Sequence, residues 1–322
     1  MENFLEFYEK GNFNFPLESY SFLIRQLGWN NIDDWFFYWK NKLDNNLVDL
    51  YWPESTSLDW SWGVGYPFLT DISQYLIDDS QRPIYGISAL PGTGKTTFGK
   101  WIENISSSLN LKITVVSLDD FYLPHSEMSI AVKDNPWNVS RGFPGTHSVN
   151  LMMTSLSNWK GGDKLKTPLF DKSIRNGFGD RCGWRESNPD LLIIEGWFLG
   201  VLPCLDKKKL NYTYLETLTE SEIRYRNLIN QNLISYQPIW EMINRTWHIK
   251  PMKFSFTDKW KEEQEANLFK QRGNSLNGLN LRNFQRMINM SIPSNSFDNI
   301  KADVLIKLSD QRKVNWVGEI SN

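Results

Sequence analysis

Residues 84–97 read IYGISALPGTGKTT, and the reading of this stretch decides the fold. An apolar run from Ile84 to Ala89 meets a turn carrying Pro91, Gly92 and Gly94, and from Ala89 the spacing is A-x-x-x-x-G-K-T. That is the spacing of a phosphate-binding loop between a strand and a helix, with Ala in place of the first Gly. Small residues allow the backbone N–H groups from Gly92 through Thr93, Gly94, Lys95, Thr96 and Thr97 to turn inward on phosphate oxygens, with the positive end of a helix behind them. Lys95 is expected to reach the β- and γ-phosphates, and the Thr96 hydroxyl to hold Mg²⁺. Phe98, Trp101, Ile102 and Ile105 then recur at helical spacing. A glycine-rich turn that merely ended in Lys-Thr would need neither the strand before it nor the helix after it.

The chain around this loop has 322 residues, enough for one large domain or for a domain with an appendage. Its formal net charge of −2 comes with no basic stripe, so nucleic acid is not an expected partner. No run of about 18 apolar residues occurs, and MENFLEFYEK at the start lacks a basic segment followed by an apolar one. No membrane association is expected. Cys182 and Cys204 are the only cysteines and form no CxxC pattern, which suits a reducing compartment and a cytoplasmic protein. The 15 Trp and 19 Phe are scattered rather than clustered, so they are read as core packing rather than a binding surface.

Residues 1–80 are expected to form a helical extension, and 81–322 the nucleotide-binding domain. Ser19, Tyr20, Phe22, Leu23, Gln26 and Leu27 make one helical stripe, and Ile32, Trp35, Phe36 and Trp39 another. Trp52 to Pro67 reads as a loop, and Phe68 to Ile77 as a helix. This extension carries no chemical motif, so it is expected to pack on the core rather than act alone.

Beyond the loop, KITVVSL (112–118) predicts a strand that delivers Asp119 and Asp120 at its C-terminal end, where open α/β sheets keep their ligands. Residues 134–150 and 161–185 read as loops carrying Arg141, His147, Asp171 and Lys172. LLIIEG (191–196) is the run of a strand buried on both faces, and its terminal Glu195 stands where an acid could hold Mg²⁺ or simply cap the strand. The charged segment 259–265 predicts a helix that is either a solvated face or a lid, 280–290 a further amphipathic helix, and DVLIKL (303–308) a final strand.

A phosphate cradle, a metal site and a strand-end carboxylate are the minimal equipment for phosphoryl transfer to a hydroxyl. One of Asp119 and Asp120 is expected to be the base, Asp119 being the natural candidate, and the other a cap. At these residues the sequence resembles the D-glycerate 3-kinase family of plants, fungi and cyanobacteria, within the phosphoribulokinase/uridine kinase group of P-loop kinases. The resemblance is carried by SLDDFYL (117–123), RGFPGTH (141–147), PLFDKS with NGFGDR (168–181), and IIEGWFLG (193–200). It extends to Trp260-Lys261-x-x-Gln264-Glu265, similar to a W-R-x-x-Q-E block, so that Lys261 and Gln264 fall in the lid. Lys261 stands where the family usually has Arg, and a point charge replaces a planar fork.

The resemblance implies an α/β, P-loop NTPase-type three-layer sandwich with a mainly parallel sheet of about five strands, the extension apart. It implies ATP and Mg²⁺ as cofactors, with the metal on Thr96 and Glu195, and Asp119 and Lys95 in catalysis. The small-molecule acceptor would be glycerate, held by Arg141, His147, Asp171 and Lys172, and the protein would act as a monomer. A carboxylate is well held by Arg or Lys, and Asp171 can accept from a hydroxyl. Two other readings remain: a kinase for a nucleoside, pantothenate or a sugar phosphate, and an ATP-binding protein without turnover. Retention of both Asp119 and Glu195 counts against the second.

Overall fold

The computed structural model describes residues 3–42, 57–76, 82–210, 217–272 and 275–319. Five helical segments come first: α1 (Phe4–Lys10), α2 (Leu17–Gln26), α3 (Ile32–Lys42), α4 (Leu58–Trp60) and α5 (Tyr66–Tyr75), with a π-turn over Ser61–Gly65 joining the last two. β1 (Ile84–Ala89) leads into α6 (Lys95–Ser108), and β2 (Ile113–Ser117) ends in a 3₁₀ turn over Leu118–Phe121. α7 (His125–Ala131) and α8 (Val149–Lys160) precede β3 (Leu165–Asp171) and β4 (Asp180–Ser187). β5 (Leu191–Gly196), α9 (Lys207–Leu210), α10 (Glu220–Glu241) and β6 (Arg245–Pro251) follow. α11 (Phe256–Arg272), α12 (Gly278–Ser291), β7 (Val304–Leu308) and β8 (Val314–Glu319) end the described chain.

Six strands form one sheet in the order β2-β5-β1-β6-β7-β8, parallel throughout except for β8. Every residue of β1 and β5 is buried, which is why both read as unbroken apolar runs rather than alternating ones. Alternate side chains serve opposite faces. Tyr85, Ile87, Leu191 and Ile193 enter the core under α6 and the N-terminal helices, while Ile84, Leu192 and Ile194 enter the one under α8, α10 and α12. The result is a three-layer α/β sandwich. Among the described residues, no helix is long and apolar enough to cross a membrane.

The N-terminal helices share the first of these cores with the sheet. The Phe68 ring meets Tyr85, Phe98 and Trp247 edge-on, at centroid distances of 5.8, 5.3 and 5.0 Å. Buried Asp71 accepts from Arg245 Nε at 2.6 Å and Trp247 Nε1 at 2.7 Å, which is what makes a buried carboxylate tolerable there. Burial pushes the Asp71 carboxyl up, and Arg245 opposes it.

Three expectations need correction. Trp52 to Pro67 was expected as a loop; its first part lies outside the described residues, but from Leu58 the chain is helical. The Gly-rich composition there serves packing: a Cβ on Gly65 would lie 2.5 Å from the Trp101 ring. Residues 161–185 hold an antiparallel hairpin, β3–β4, outside the main sheet, rather than a loop throughout. Finally, β7 is not the last strand, since β8 pairs antiparallel along it with Val314 and Val317 buried.

Candidate active site

The loop after β1 folds as its glycines demand. Gly92 and Gly94 have φ of +78° and +99°, in the left-handed region that Gly enters freely, and Gly94 caps α6. Gly92 is fixed for a second reason, because a Cβ there would lie 2.7 Å from Trp260 Cβ. Thr93 Oγ1 donates to Leu90 O at 2.8 Å and closes the turn from inside. The loop therefore opens at the N-terminus of a 14-residue helix, where anions are favoured.

Strand register brings the first acid to this opening. Glu195 lies opposite both Ile87 of β1 and Ser117 of β2, so its side chain stands at the carboxyl ends of three adjacent strands. Thr96 Oγ1 donates to Glu195 Oε1 at 3.4 Å, and Oε2 is buried without a hydrogen-bond partner. Burial pushes the Glu195 carboxyl up, and Lys95 opposes it. Mg²⁺ binds through one or two carboxylates and takes its remaining oxygens from water and phosphate. An orphaned carboxylate oxygen beside a hydroxyl fits that need, and no larger cluster of metal-binding side chains occurs among the described residues.

The second acid is aimed by a local cap. Ser117 N donates to Asp120 Oδ2 at 3.1 Å and Asp119 N to Ser117 Oγ at 3.3 Å, which winds the 3₁₀ turn and sends the two carboxylates apart. Asp120 is thereby committed to the turn. Asp119 instead accepts from Lys172 Nζ at 2.6 Å, and His147 Nε2 lies 3.9 Å from its other oxygen. Tyr236 Oη accepts from Gly145 N at 3.0 Å and sits 3.0 Å from His147 Nδ1, so its own proton can go to Nδ1. The imidazole hydrogen then belongs on Nε2, facing Asp119.

The electrostatics separate the two carboxylates. Burial pushes the Asp119 carboxyl up, but Lys172 and His147 more than reverse this and hold it well below the usual range. Asp120 is pushed up to about 6, by burial first and by Asp119 and Glu195 in addition. Burial lowers His147, which keeps its ring neutral, and Asp119 overcomes the same effect at Lys172, which is raised. At neutral pH the site thus holds an ionised carboxylate in contact with a cation that is still about half exposed, 54%.

No protein-family model matches the chain. An uncharacterized kinase of Schizosaccharomyces pombe, mug58, is 33% identical over 202 residues, covering 57% of this chain and 70% of that protein. The chloroplastic D-glycerate 3-kinase of Arabidopsis thaliana is 31% identical over 202 residues, covering 58% of this chain and 42% of the plant protein. The chain belongs to the same family of P-loop kinases as mug58, and it is similar to the plant D-glycerate 3-kinase. A solved D-glycerate 3-kinase from Cryptococcus neoformans shares the fold at a TM-score of 0.65 and 24% identity, over 79% of this chain and 99% of that one.

Not every residue singled out from the D-glycerate 3-kinase motifs sits as expected. Arg141 turns its guanidinium onto the hairpin tip, donating to the carbonyls of Gly177 at 2.8 Å and Phe178 at 2.7 Å, with Phe170 beneath it. It clasps the β3–β4 tip. His147 is buried, stacked on Tyr122 at 4.5 Å, and stands behind Asp119 rather than on an open surface. Asp171 Oδ1 accepts from Ser173 N and Oγ at 2.8 and 2.6 Å, a local turn that shapes the approach to Lys172. In α11, Lys261 pairs with Glu265 at 2.5 Å and lies over the Phe284 ring, while Gln264 is exposed. Burial lowers the Lys261 ammonium, and the charges of Lys172 and Lys95 act on it in the same direction. Tyr236, in a helix with no motif, has no sequence signal beyond its helical spacing.

Proposed function

We propose that this P-loop kinase transfers the γ-phosphoryl group of ATP to a hydroxyl of D-glycerate, giving 3-phosphoglycerate. The observation that carries the reading is the Asp119–Lys172 pair at 2.6 Å, one partner suited to a hydroxyl proton and the other to a carboxylate, beside the loop that cradles phosphate. Lys95 and the loop N–H groups bind the β- and γ-phosphates, and Lys261 from α11 adds charge over them. Thr96 and Glu195 would hold Mg²⁺, which supplies neutralisation of the phosphate charge. Asp119 takes the proton from the acceptor hydroxyl as its oxygen bonds to the γ-phosphorus, the bridging bond to ADP breaks, and ADP leaves with the electron pair.

The ion pair also accounts for how a strongly acidic carboxyl could serve as a base. Lys172 is the main group holding Asp119 down. An acceptor carboxylate that draws Lys172 toward itself raises the basicity of Asp119 at the moment the hydroxyl arrives. Neutral His147, with Nε2–H aimed at Asp119, keeps the carboxylate oriented. The test is ADP release by the purified protein with Mg-ATP and, in turn, D-glycerate, uridine, pantothenate and ribulose 5-phosphate. Turnover confined to D-glycerate is the expected result. Turnover with another acceptor would move the substrate and keep the chemistry, and none with any of them would leave an ATP-binding protein.

A further inference from the structure

The N-terminal helices meet the turn between β7 and β8, and a side chain of that turn reaches the phosphate-binding loop. Arg312, in the turn between β7 and β8, donates from Nε to Gly92 O at 2.7 Å, from Nη2 to Trp260 O at 3.1 Å and from Nη1 to Glu263 Oε2 at 2.6 Å. One guanidinium thus joins the phosphate-binding loop to α11. Its plane lies over the Trp260 ring, whose own Nε1 donates to Asp310 O in the same turn. Arg312 adopts φ +60°, a left-handed conformation that a non-Gly residue keeps only where its surroundings hold it.

What holds it comes from the far end of the chain. Trp60 Nε1 donates to Arg312 O at 2.8 Å, and Asp59 Oδ2 accepts from Val314 N at 2.5 Å, so two residues of α4 grip the turn at Arg312 and two residues beyond it. The Trp60 ring also meets Phe98 of α6 edge-on at 6.0 Å. The contacts form one line: α4, the β7–β8 turn, Arg312, then Gly92 and Trp260. Gly92 can take no Cβ precisely because Trp260 stands so close, so any shift of α11 is felt by the loop's backbone.

We infer that Arg312 is a positioning residue for nucleotide binding, through which the N-terminal helices set the shape of the phosphate-binding loop and the seat of α11. It touches no reacting atom. Its guanidinium satisfies the Gly92 carbonyl from outside the loop, which leaves the loop's N–H groups to face inward. The inference rests on the loop being the ATP site.

The experiment is a double-mutant cycle on the full chain with Arg312→Ala and Trp60→Phe, together with Arg312→Lys. Mg-ATP affinity is read by calorimetry, the melting temperature without nucleotide, and KM for each substrate separately. Arg312→Ala should weaken ATP binding about tenfold, as expected when a charge-assisted hydrogen bond is lost, with KM for the acceptor unchanged. Arg312→Lys, which keeps the charge and one reachable partner, should recover part of that loss. Trp60→Phe keeps an aromatic ring but removes the donor together with the rest of the indole; it should weaken ATP binding about threefold, and have no further effect once Arg312 is Ala. The inference is overturned if ATP affinity in Arg312→Ala and Arg312→Lys stays within about twofold of the natural chain, or if the Trp60 and Arg312 effects simply add. A natural chain that binds no Mg-ATP would overturn the reading of the loop itself, a result that calorimetry separates from the other two.

Discussion

Asp119→Asn makes the most demanding test of the site, because the structure assigns its two consequences very different sizes. The amide keeps the shape of the carboxylate and can still accept from Lys172, but it cannot take a proton. Loss of a general base costs roughly 10²–10⁴ in rate, so kcat with D-glycerate should fall at least about 100-fold, equivalent to about 2.7 kcal/mol of barrier. Stability should hardly move. Lys172 and Asp119 are 54% and 30% exposed, and an ion pair of that kind contributes about 0–1 kcal/mol, so the melting temperature should change by no more than a few degrees. Asp120→Asn serves as the internal control, since its oxygen can still accept from Ser117 N and its site penalises the charged form, with a pKa near 6. That variant should keep turnover within about fivefold of the natural chain. Steady-state ADP release gives the rates, and calorimetry with Mg-ATP should return near-equal affinities for all three proteins. If Asp120→Asn is the inactive variant, the 3₁₀ turn presents the other carboxylate; if Asp119→Asn keeps more than about a tenth of the rate, no base acts there.

Lys95→Ala should leave the melting curve without nucleotide unchanged and lower kcat/KM for ATP by about 10²-fold or more; an unaltered value would take the loop out of the reaction. Gly92→Ala forces a side chain into φ +78° and against Trp260, whereas Gly94→Ala, at φ +99°, meets nothing within 4 Å. Denaturant titration should therefore find Gly92→Ala the more destabilised, by about 1–3 kcal/mol, and equal losses would show that the Trp260 contact is soft. Burial pushes buried His248 from 6.5 down to about 4, so the unfolded chain takes up the proton first. Its contribution is intact above pH 6.5 and is lost as pH falls toward 4, by about 3 kcal/mol. His248→Gln should flatten stability against pH across that window, and an unchanged slope would place the acid sensitivity elsewhere.

The fold class was legible because the features that reveal it are local. An unbroken apolar run such as LLIIEG announces a strand covered on both faces, and IYGISA followed by a glycine turn and a helical stripe announces the unit around the phosphate-binding loop. The hairpin and the helical stretch after Leu58 were misread for one physical reason: glycine signals a turn and a close approach in the same letter, and only the partner, Trp101 against Gly65, tells them apart. In the site, strand ends placed Asp119 and Glu195, since register carries each side chain to the same edge of the sheet. Tyr236 and Arg312 escaped notice because their partners, backbone groups, a ring nitrogen and a carboxylate, lie far along the chain, and no spacing within a helix or a turn records such a partner.

The β3–β4 hairpin stands outside the six-stranded sheet, and it carries Lys172 toward Asp119 from one side while Arg141 clasps its tip from the other. Its ladder depends on no strand of the main sheet, so changes in tip length or composition leave the phosphate cradle and Glu195 where they are. The phosphate cradle and the proposed acceptor contact at Lys172 therefore sit on separate pieces of the fold. A lineage built on this plan could change the group that would meet the acceptor by rewriting that tip alone, without ever passing through an ancestor unable to hold its nucleotide.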